Sequence, residues 1–260
     1  MVRAIPDVLA RIVDSKRAAL PPLTATRDAL EQKAAARTSF RNFRAALTAK
    51  HLAIMAEVKK ASPSKGVFAH RFDPAAIARS YASGGAAALS VLTDAEFFQG
   101  SLEDLESARA AVAIPVLRKD FTLDPIHVVE AAAHGADAIL LIAALLEDRA
   151  LRDLREMANR YRMAALVEVH DEGELDAAIG SGADIIGVNN RNLHTFEVTL
   201  ETSLSLAARI PSSAVKVSES GIDSRAAVTR LQRAGFDALL VGEHLMKAAD
   251  PIAALRALLS

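Results

Sequence analysis

Apolar residues along the chain fall into short runs of strand length, separated by longer stretches in which Ala, Leu, Glu and Arg recur at helical spacing. The runs predict strands over residues 54–59, 87–92, 115–120, 138–142, 165–169, 185–189, 215–218 and 238–241. The intervening stretches predict helices over 74–83, 101–111, 126–134, 151–161, 172–181 and 224–234. Just before strands stand Gly135-Ala136-Asp137, Gly182-Ala183-Asp184 and Gly235-Phe236-Asp237, with each Gly suited to a helix end. Runs such as ADAILLI and DALLV are apolar at consecutive positions, which marks strands buried on both faces of a parallel sheet. Eight βα units at roughly 26 residues each fit a closed (β/α)₈ barrel, the TIM-barrel architecture, better than an open doubly wound sheet.

Composition narrows this to one α/β domain. A length of 260 residues suits a single barrel, and 51% hydrophobic with 24% charged residues is globular composition, which excludes disorder and coiled coil. Residues 1–47 precede the first strand and read as a helical extension packed on the barrel, which itself takes 48–260. With a formal net charge of −1, no global field draws the chain to nucleic acid or an anionic bilayer, so anion binding must be local. The longest apolar run, 138–146, is too short to span a membrane, and the first residues lack the uninterrupted apolar core of a secretion signal. Zero Cys excludes disulfides, thiolate metal sites and a cysteine nucleophile, and suits a cytoplasmic location. The seven His show no metal-ligand spacing, so no metal is expected and surface or helix-end roles are.

In such barrels the chemistry lies at the C-terminal ends of the strands. Alternation in the first strand points Met55, Glu57 and Lys59 one way and Ala56 and Val58 the other. Lys119 closes the third strand, Glu168 and His170 the fifth, Asn189 and Arg191 the sixth, Glu219 and Ser220 the seventh. One rim charge is usually a solvated group or an ion-pair partner. Glu and Lys converging on one mouth point instead to acid–base chemistry. Gly221 follows strand seven, and Gly242 with Glu243 follows strand eight, where backbone N–H groups can approach a phosphate; plain tight turns are the competing reading. The run Lys59-Lys60-Ala61-Ser62-Pro63-Ser64-Lys65-Gly66 offers cations to the same anion or forms a solvated loop. Phe98 and Phe121 can line the mouth, whereas Phe97 reads as core.

The segments IMAEVKKASPSKG (54–66), PVLRKDFTL (115–123), 165–169, IIGVNNRN (185–192), VSESGI (217–222) and 240–246 together resemble the indole-3-glycerol phosphate synthase family, from about residue 39 to the C-terminus. The resemblance implies a cofactor-free lyase of the tryptophan pathway. Its reaction converts 1-(2-carboxyphenylamino)-1-deoxyribulose 5-phosphate to indole-3-glycerol phosphate, carbon dioxide and water. It implies Lys119 as general acid on the ribulose carbonyl, Lys59 as a substrate contact and acid in the dehydration, and Glu168 as general base. Glu57 and Glu219 would hold the lysines charged and steady the positive charge developing on the aniline nitrogen, with Ser220 completing the Glu-Ser pair. By the same resemblance Asn189 and Arg191 lie near the substrate carboxylate and hydroxyls. Ser62, Gly221 and Gly242 lie at the phosphate, and Phe98 and Phe121 line the anthranilate pocket.

Two departures are visible: Phe68-Ala69-His70 stands where an arginine is frequent, and Asn192 where aspartate is usual. Neither touches the acid–base set. A phosphoribosylanthranilate isomerase would need a cysteine base, absent here, and the Glu-x-Lys-Lys-x-Ser-Pro-Ser run is foreign to the tryptophan synthase α subunit. The alternative from another class is a catalytically silent barrel that binds a phosphorylated ligand. The expected partner is a phosphorylated small molecule; monomer and homodimer remain open.

Overall fold

A computed structural model of the chain describes residues 7–63, 65–68, 72–193 and 195–260. Ser64, Ala69, His70 and His194, which fall in segments singled out above or among the seven His, lie outside them, as does the start of the extension.

Eight parallel strands form a closed barrel: β1 (Ala53–Val58), β2 (Ala88–Leu92), β3 (Val116–Lys119), β4 (Ala138–Ile142), β5 (Ala164–Val169), β6 (Ile185–Asn189), β7 (Val215–Glu219) and β8 (Ala238–Val241). Each pairs with its sequence neighbours, and β1 closes the ring by pairing with both β2 and β8. Alternation along each strand divides the core in two. Ala53 and Met55 point inward with Leu117, Leu140, Leu166, Val217 and Leu240, while Ile54, Ala56 and Val58 pack outward beneath the helices. Both faces are therefore apolar and buried, as the consecutive apolar runs require.

Before β1 come α1 (Asp7–Ala18), α2 (Leu20–Thr24), α3 (Arg27–Ala35) and α4 (Phe43–Thr48). After it follow α5 (Pro74–Gly84), α6 (Ala95–Phe98), α7 (Leu102–Ala111), α8 (Pro125–Ala133), α9 (Asp148–Arg160), α10 (Glu172–Gly180), α11 (Glu201–Leu206), α12 (Arg225–Arg233), α13 (Glu243–Met246) and α14 (Pro251–Leu259). Five barrel helices begin where a short polar side chain accepts an otherwise orphaned N–H: Asp73 from Ala76, Ser101 from Asp104, Asp124 from Ile126, Asp171 from Glu174 and Ser224 from Ala227. Each such cap contributes about 1 kcal/mol. Glycines of the Gly-x-Asp triplets end α8 and α10 in the left-handed conformation, with φ of +84° at Gly135 and +80° at Gly182. The triplet aspartates do a second job at the barrel floor. Asp137 accepts the N–H of Val116 at 3.1 Å and Asp237 that of Lys216 at 2.8 Å, each satisfying a residue at the start of a neighbouring strand.

The extension wraps the barrel from top to bottom. Val8, Leu9 and Ile12 of α1 face the cavity at the mouth, α3 runs along α8, and Phe43 and Leu47 of α4 plug the floor within the inner core cluster. Arg37 of the segment joining α3 to α4 pairs with the buried carboxylate of Asp137 at 2.6 Å, fixing the descent of the chain. Among the described residues no helix is long and apolar enough to cross a membrane.

Candidate active site

Inward alternation ends in a polar residue on five strands: Glu57 on β1, Lys119 on β3, Glu168 on β5, Asn189 on β6 and Glu219 on β7. Strands β2, β4 and β8 contribute apolar Leu92, Ile142 and Leu240. These residues floor a cavity of about 780 Å³ at the C-terminal mouth. That volume lies in the range of small-molecule sites.

Lys119 stands between two carboxylates, Glu168 at 2.7 Å and Glu219 at 2.9 Å. Burial alone would strip its proton. Glu168, Glu219 and Glu57 outweigh that and push its pKa up, so the ammonium form is held. Glu168 is driven the other way: burial disfavours its charge, but Lys119 and His170 carry it well below the usual carboxylate range. Glu219 is pushed up to about 7 by burial, with Glu168 adding repulsion against the attraction of Lys119. Two carboxylates sharing one ammonium thus titrate as a coupled pair, with Glu168 driven down and Glu219 up. Lys59 pairs with Glu57 and lies 5.4 Å from the centroid of the Phe68 ring.

A second cluster of charge surrounds the loop after β8. Glu243 accepts from Lys247 at 2.6 Å, and that bond, with Lys65 and Lys59 nearby, holds its carboxyl below the ordinary range. Lys59, Lys65 and Lys247 therefore converge where Gly221, Gly242 and Ser62 also line the cavity. On the β6 side, the Asn189 side-chain oxygen accepts from Ser220 Oγ at 2.9 Å and the Arg191 N–H at 3.0 Å, which leaves its amide nitrogen to donate into the site. Arg191 also donates to the Phe196 carbonyl at 3.2 Å, drawing the β6 loop over the rim.

The cavity brings together the fourteen residues expected at the site: Glu57, Lys59, Ser62, Phe98, Lys119, Phe121, Glu168, Asn189, Arg191, Glu219, Ser220, Gly221, Gly242 and Glu243; His170, Met55 and Lys60 do not line it. The rings of Phe98 and Phe121 meet at 6.3 Å. Two expectations need correction. Phe97 is half-exposed rather than core, with the Arg11 guanidinium 5.9 Å from its ring centroid, because α6 is a single turn at the rim. The surface reading of the histidines fails at His127, buried in the first turn of α8, and at His170, whose side chain is 10% exposed beside Glu168 and Glu174; both stand at helix starts, as the helix-end reading has it.

Four contributors went unread. Leu9 and Ile12 wall the cavity from α1, and an amphipathic period shows only that a face is buried, not against what. Lys16, on the same helix, pairs with Asp94 at 2.9 Å and Asp120 at 2.6 Å, beside Lys119 in the chain. Gly187 lies under Glu219, and a Cβ there would collide with that carboxylate; Gly242 bears the same relation to Glu57. The available signal was a Gly inside the β6 pattern, which marks close approach of another group.

A model of the indole-3-glycerol phosphate synthase family matches residues 9–258. The chain is 52% identical over 258 residues to the indole-3-glycerol phosphate synthase of Leptothrix cholodnii, covering 97% of this chain and 98% of that protein. It is 51% identical over 249 residues to that of Koribacter versatilis, covering 95% and 96%. Among solved structures, a 3-hexulose-6-phosphate synthase superposes with a TM-score of 0.64 at 15% identity, over 79% of this chain and 97% of that one. A thiamine phosphate pyrophosphorylase from Pyrococcus furiosus gives 0.61 at 19% identity, over 84% and 96%. These two show the barrel fold alone, whereas the family match and the two relatives run nearly end to end: the chain belongs to the indole-3-glycerol phosphate synthase family.

Proposed function

We propose that the mouth of the barrel carries out the family's reaction with the residues gathered there, closing the indole ring of 1-(2-carboxyphenylamino)-1-deoxyribulose 5-phosphate and releasing carbon dioxide and water. The observation that carries the assignment is Lys119 held charged between Glu168 and Glu219, with Lys59 against Glu57 in the same cavity.

In the first step the aryl carbon bearing the carboxylate attacks the ribulose carbonyl, and Lys119 gives a proton to the carbonyl oxygen. A new C–C bond forms and the C=O becomes C–OH. Positive charge develops on the aniline nitrogen, where Glu57 and Glu219 steady it. The carboxylate leaves as carbon dioxide, and its electron pair restores the aromatic ring. Lys59 then protonates the hydroxyl, which departs as water, and Glu168 removes the last carbon-bound proton to give the indole. Two protons come from the lysines and one goes to Glu168, so each turnover draws one net proton from solution.

Binding follows the same division of the cavity. The Lys59, Lys65 and Lys247 cluster with Ser62, Gly221 and Gly242 holds the phosphate. Phe98, Phe121 and the apolar face of α1 hold the anthranilate ring, and Asn189 and Arg191 meet the carboxylate and hydroxyls. We treat 48–260 as the catalytic barrel and 1–47 as an extension that finishes the cavity wall, in an enzyme of the cytoplasm.

Purified protein incubated with this substrate, in EDTA and without added cofactor, tests the assignment by the indole signal and carbon dioxide release. Turnover is expected, and Lys119→Ala should lower kcat by about 10² to 10⁴. Substrate binding without turnover in the folded wild type would instead support a silent phosphate-binding barrel.

A further inference from the structure

His170 lies two residues beyond Glu168, with its side chain 10% exposed, and does not line the cavity. Its surroundings are built. Glu174, in the first turn of α10, accepts both the main-chain N–H of His170 at 2.8 Å and ring Nδ1 at 2.9 Å through the same oxygen. That places a hydrogen on Nδ1 and fixes the ring plane. Nε2, without a hydrogen-bond partner among the described residues, lies 3.4 Å from Glu168 Oε1. The opposite oxygen of Glu168 accepts from Lys119. One carboxylate is therefore bracketed by an ammonium on the cavity side and an imidazole on the outer side.

We infer that His170, held by Glu174, is a positioning residue for the reaction: as an imidazolium it fixes the rotation of the Glu168 carboxylate and keeps it ionised from the side away from Lys119. This deepens, and rests on, the reading of Glu168 as the base.

The physical case is one of charge balance at a buried carboxylate. When Lys119 swings its proton toward the substrate carbonyl, Glu168 loses its cavity-side partner. A buried carboxylate left without a cation recaptures a proton, here from the very lysine meant to deliver it. A second cation that never contacts substrate prevents that. The titratable groups facing the imidazole are Glu168 from β5 and Glu174 from α10, with Asp171 adjacent in the chain; behind Glu168 stand Lys119 from β3 and Glu219 from β7. Burial opposes the imidazolium, but the carboxylates of Glu168 and Glu174 overcome it and raise the ring to about 9.

A purely structural cap at the start of α10 would leave the pH profile unmoved. His170→Gln keeps a donor and removes the charge. Its kcat should fall by about 10- to 100-fold, with KM within about threefold. The acid limb of its kcat/KM profile, set by the Glu168 and Glu219 pair, should move up by about one pH unit. Glu174→Gln should shift it the same way by less. Independently of activity, nitrogen chemical shifts of His170 in the unliganded wild type should show both ring nitrogens protonated at pH 7, with the midpoint lowered in Glu174→Gln. An unshifted limb in folded His170→Gln, or a neutral ring at pH 7, overturns the inference. Should His170→Gln not fold, the wild-type ring shifts and Glu174→Gln decide. A wild type without turnover whose His170 is nonetheless an imidazolium would sink the proposed function while leaving this ion pair standing.

Discussion

Glu219 owes its position to a neighbour that has no side chain. Its carboxyl is 1% exposed and lies against Gly187, directly below the bond to Lys119. A methyl group at 187 would need the space of Oε1, and the barrel interior has little slack to absorb it. In Gly187→Ala the carboxylate should therefore be displaced while the barrel survives. The expected outcome is a kcat lower by about 10- to 100-fold, with a melting temperature only a few degrees lower, about what 1 to 3 kcal/mol of overpacking causes. Steady-state kinetics beside a thermal melt separates the two, and an unchanged kcat would show that Glu219 does not depend on this fit. Gly242 is subject to the same constraint from Glu57, and it lines the same cavity as Lys59, Lys65 and Lys247. Charged residues at strand ends were legible because alternation fixes which way each points. Gly187 was not, because its meaning depends on a side chain 32 residues further along the chain.

At the scale of elements, the eight strands follow the apolar runs to within a residue or two, since strands buried on both faces leave little ambiguity and the Gly-x-Asp triplets punctuate them. Single-turn helices such as α6 and α13, and the hairpin of Ala61–Ser62 with Gly66–Val67, are too short to carry a period. The placement of α1 escapes sequence reasoning for another reason: its polar face carries Lys16, whose partners Asp94 and Asp120 are brought together only by the pairing of β2 with β3. Asp120 is tied further, accepting from Thr93 at 2.6 Å and from Arg118 at 3.1 Å, so α1 docks onto the same short segment that carries Lys119. Burial works against the charge of Asp120, yet Arg118 and Lys16 drive its pKa well below the carboxylate range. Lys16→Ala removes one of these cations and loosens α1 from the mouth. Because Leu9 and Ile12 form part of the wall, the loss should fall on binding, with KM raised about 3- to 10-fold and kcat changed by less than about threefold. A KM equal to wild type would mean that α1 is held by its apolar face alone.

For the molecule as a whole, the barrel holds His127 and His170 in opposite charge states, and that shapes its stability against pH. His127, in the first turn of α8, accepts the Leu123 N–H through Nδ1 at 3.1 Å, a bond that requires the neutral ring. Burial, with Arg118 nearby, depresses it to about 4, against Asp120 and Glu130, which pull the other way. The unfolded chain, with His near 6.5, thus binds more protons than the folded one between pH 4 and 6.5. Stability from this group is complete above about 6.5 and is lost as pH falls toward 4. His170, raised to about 9, has the reverse sign: its contribution is complete below about 6.5 and is lost as pH rises through 9. The two together favour a maximum near pH 6.5, with each flank owned by a different side chain. His127→Asn retains an acceptor for the Leu123 N–H but cannot titrate, so it isolates the acid flank. Melting temperatures of wild type and variant should differ by a constant amount above pH 7. Below it the wild type should lose an additional 2 to 6 °C or so, relative to the variant, by pH 4.5. A gap that stays the same from pH 7 to 4.5 would mean that His127 keeps its solution pKa in the fold and that the acid flank belongs to the carboxylates alone.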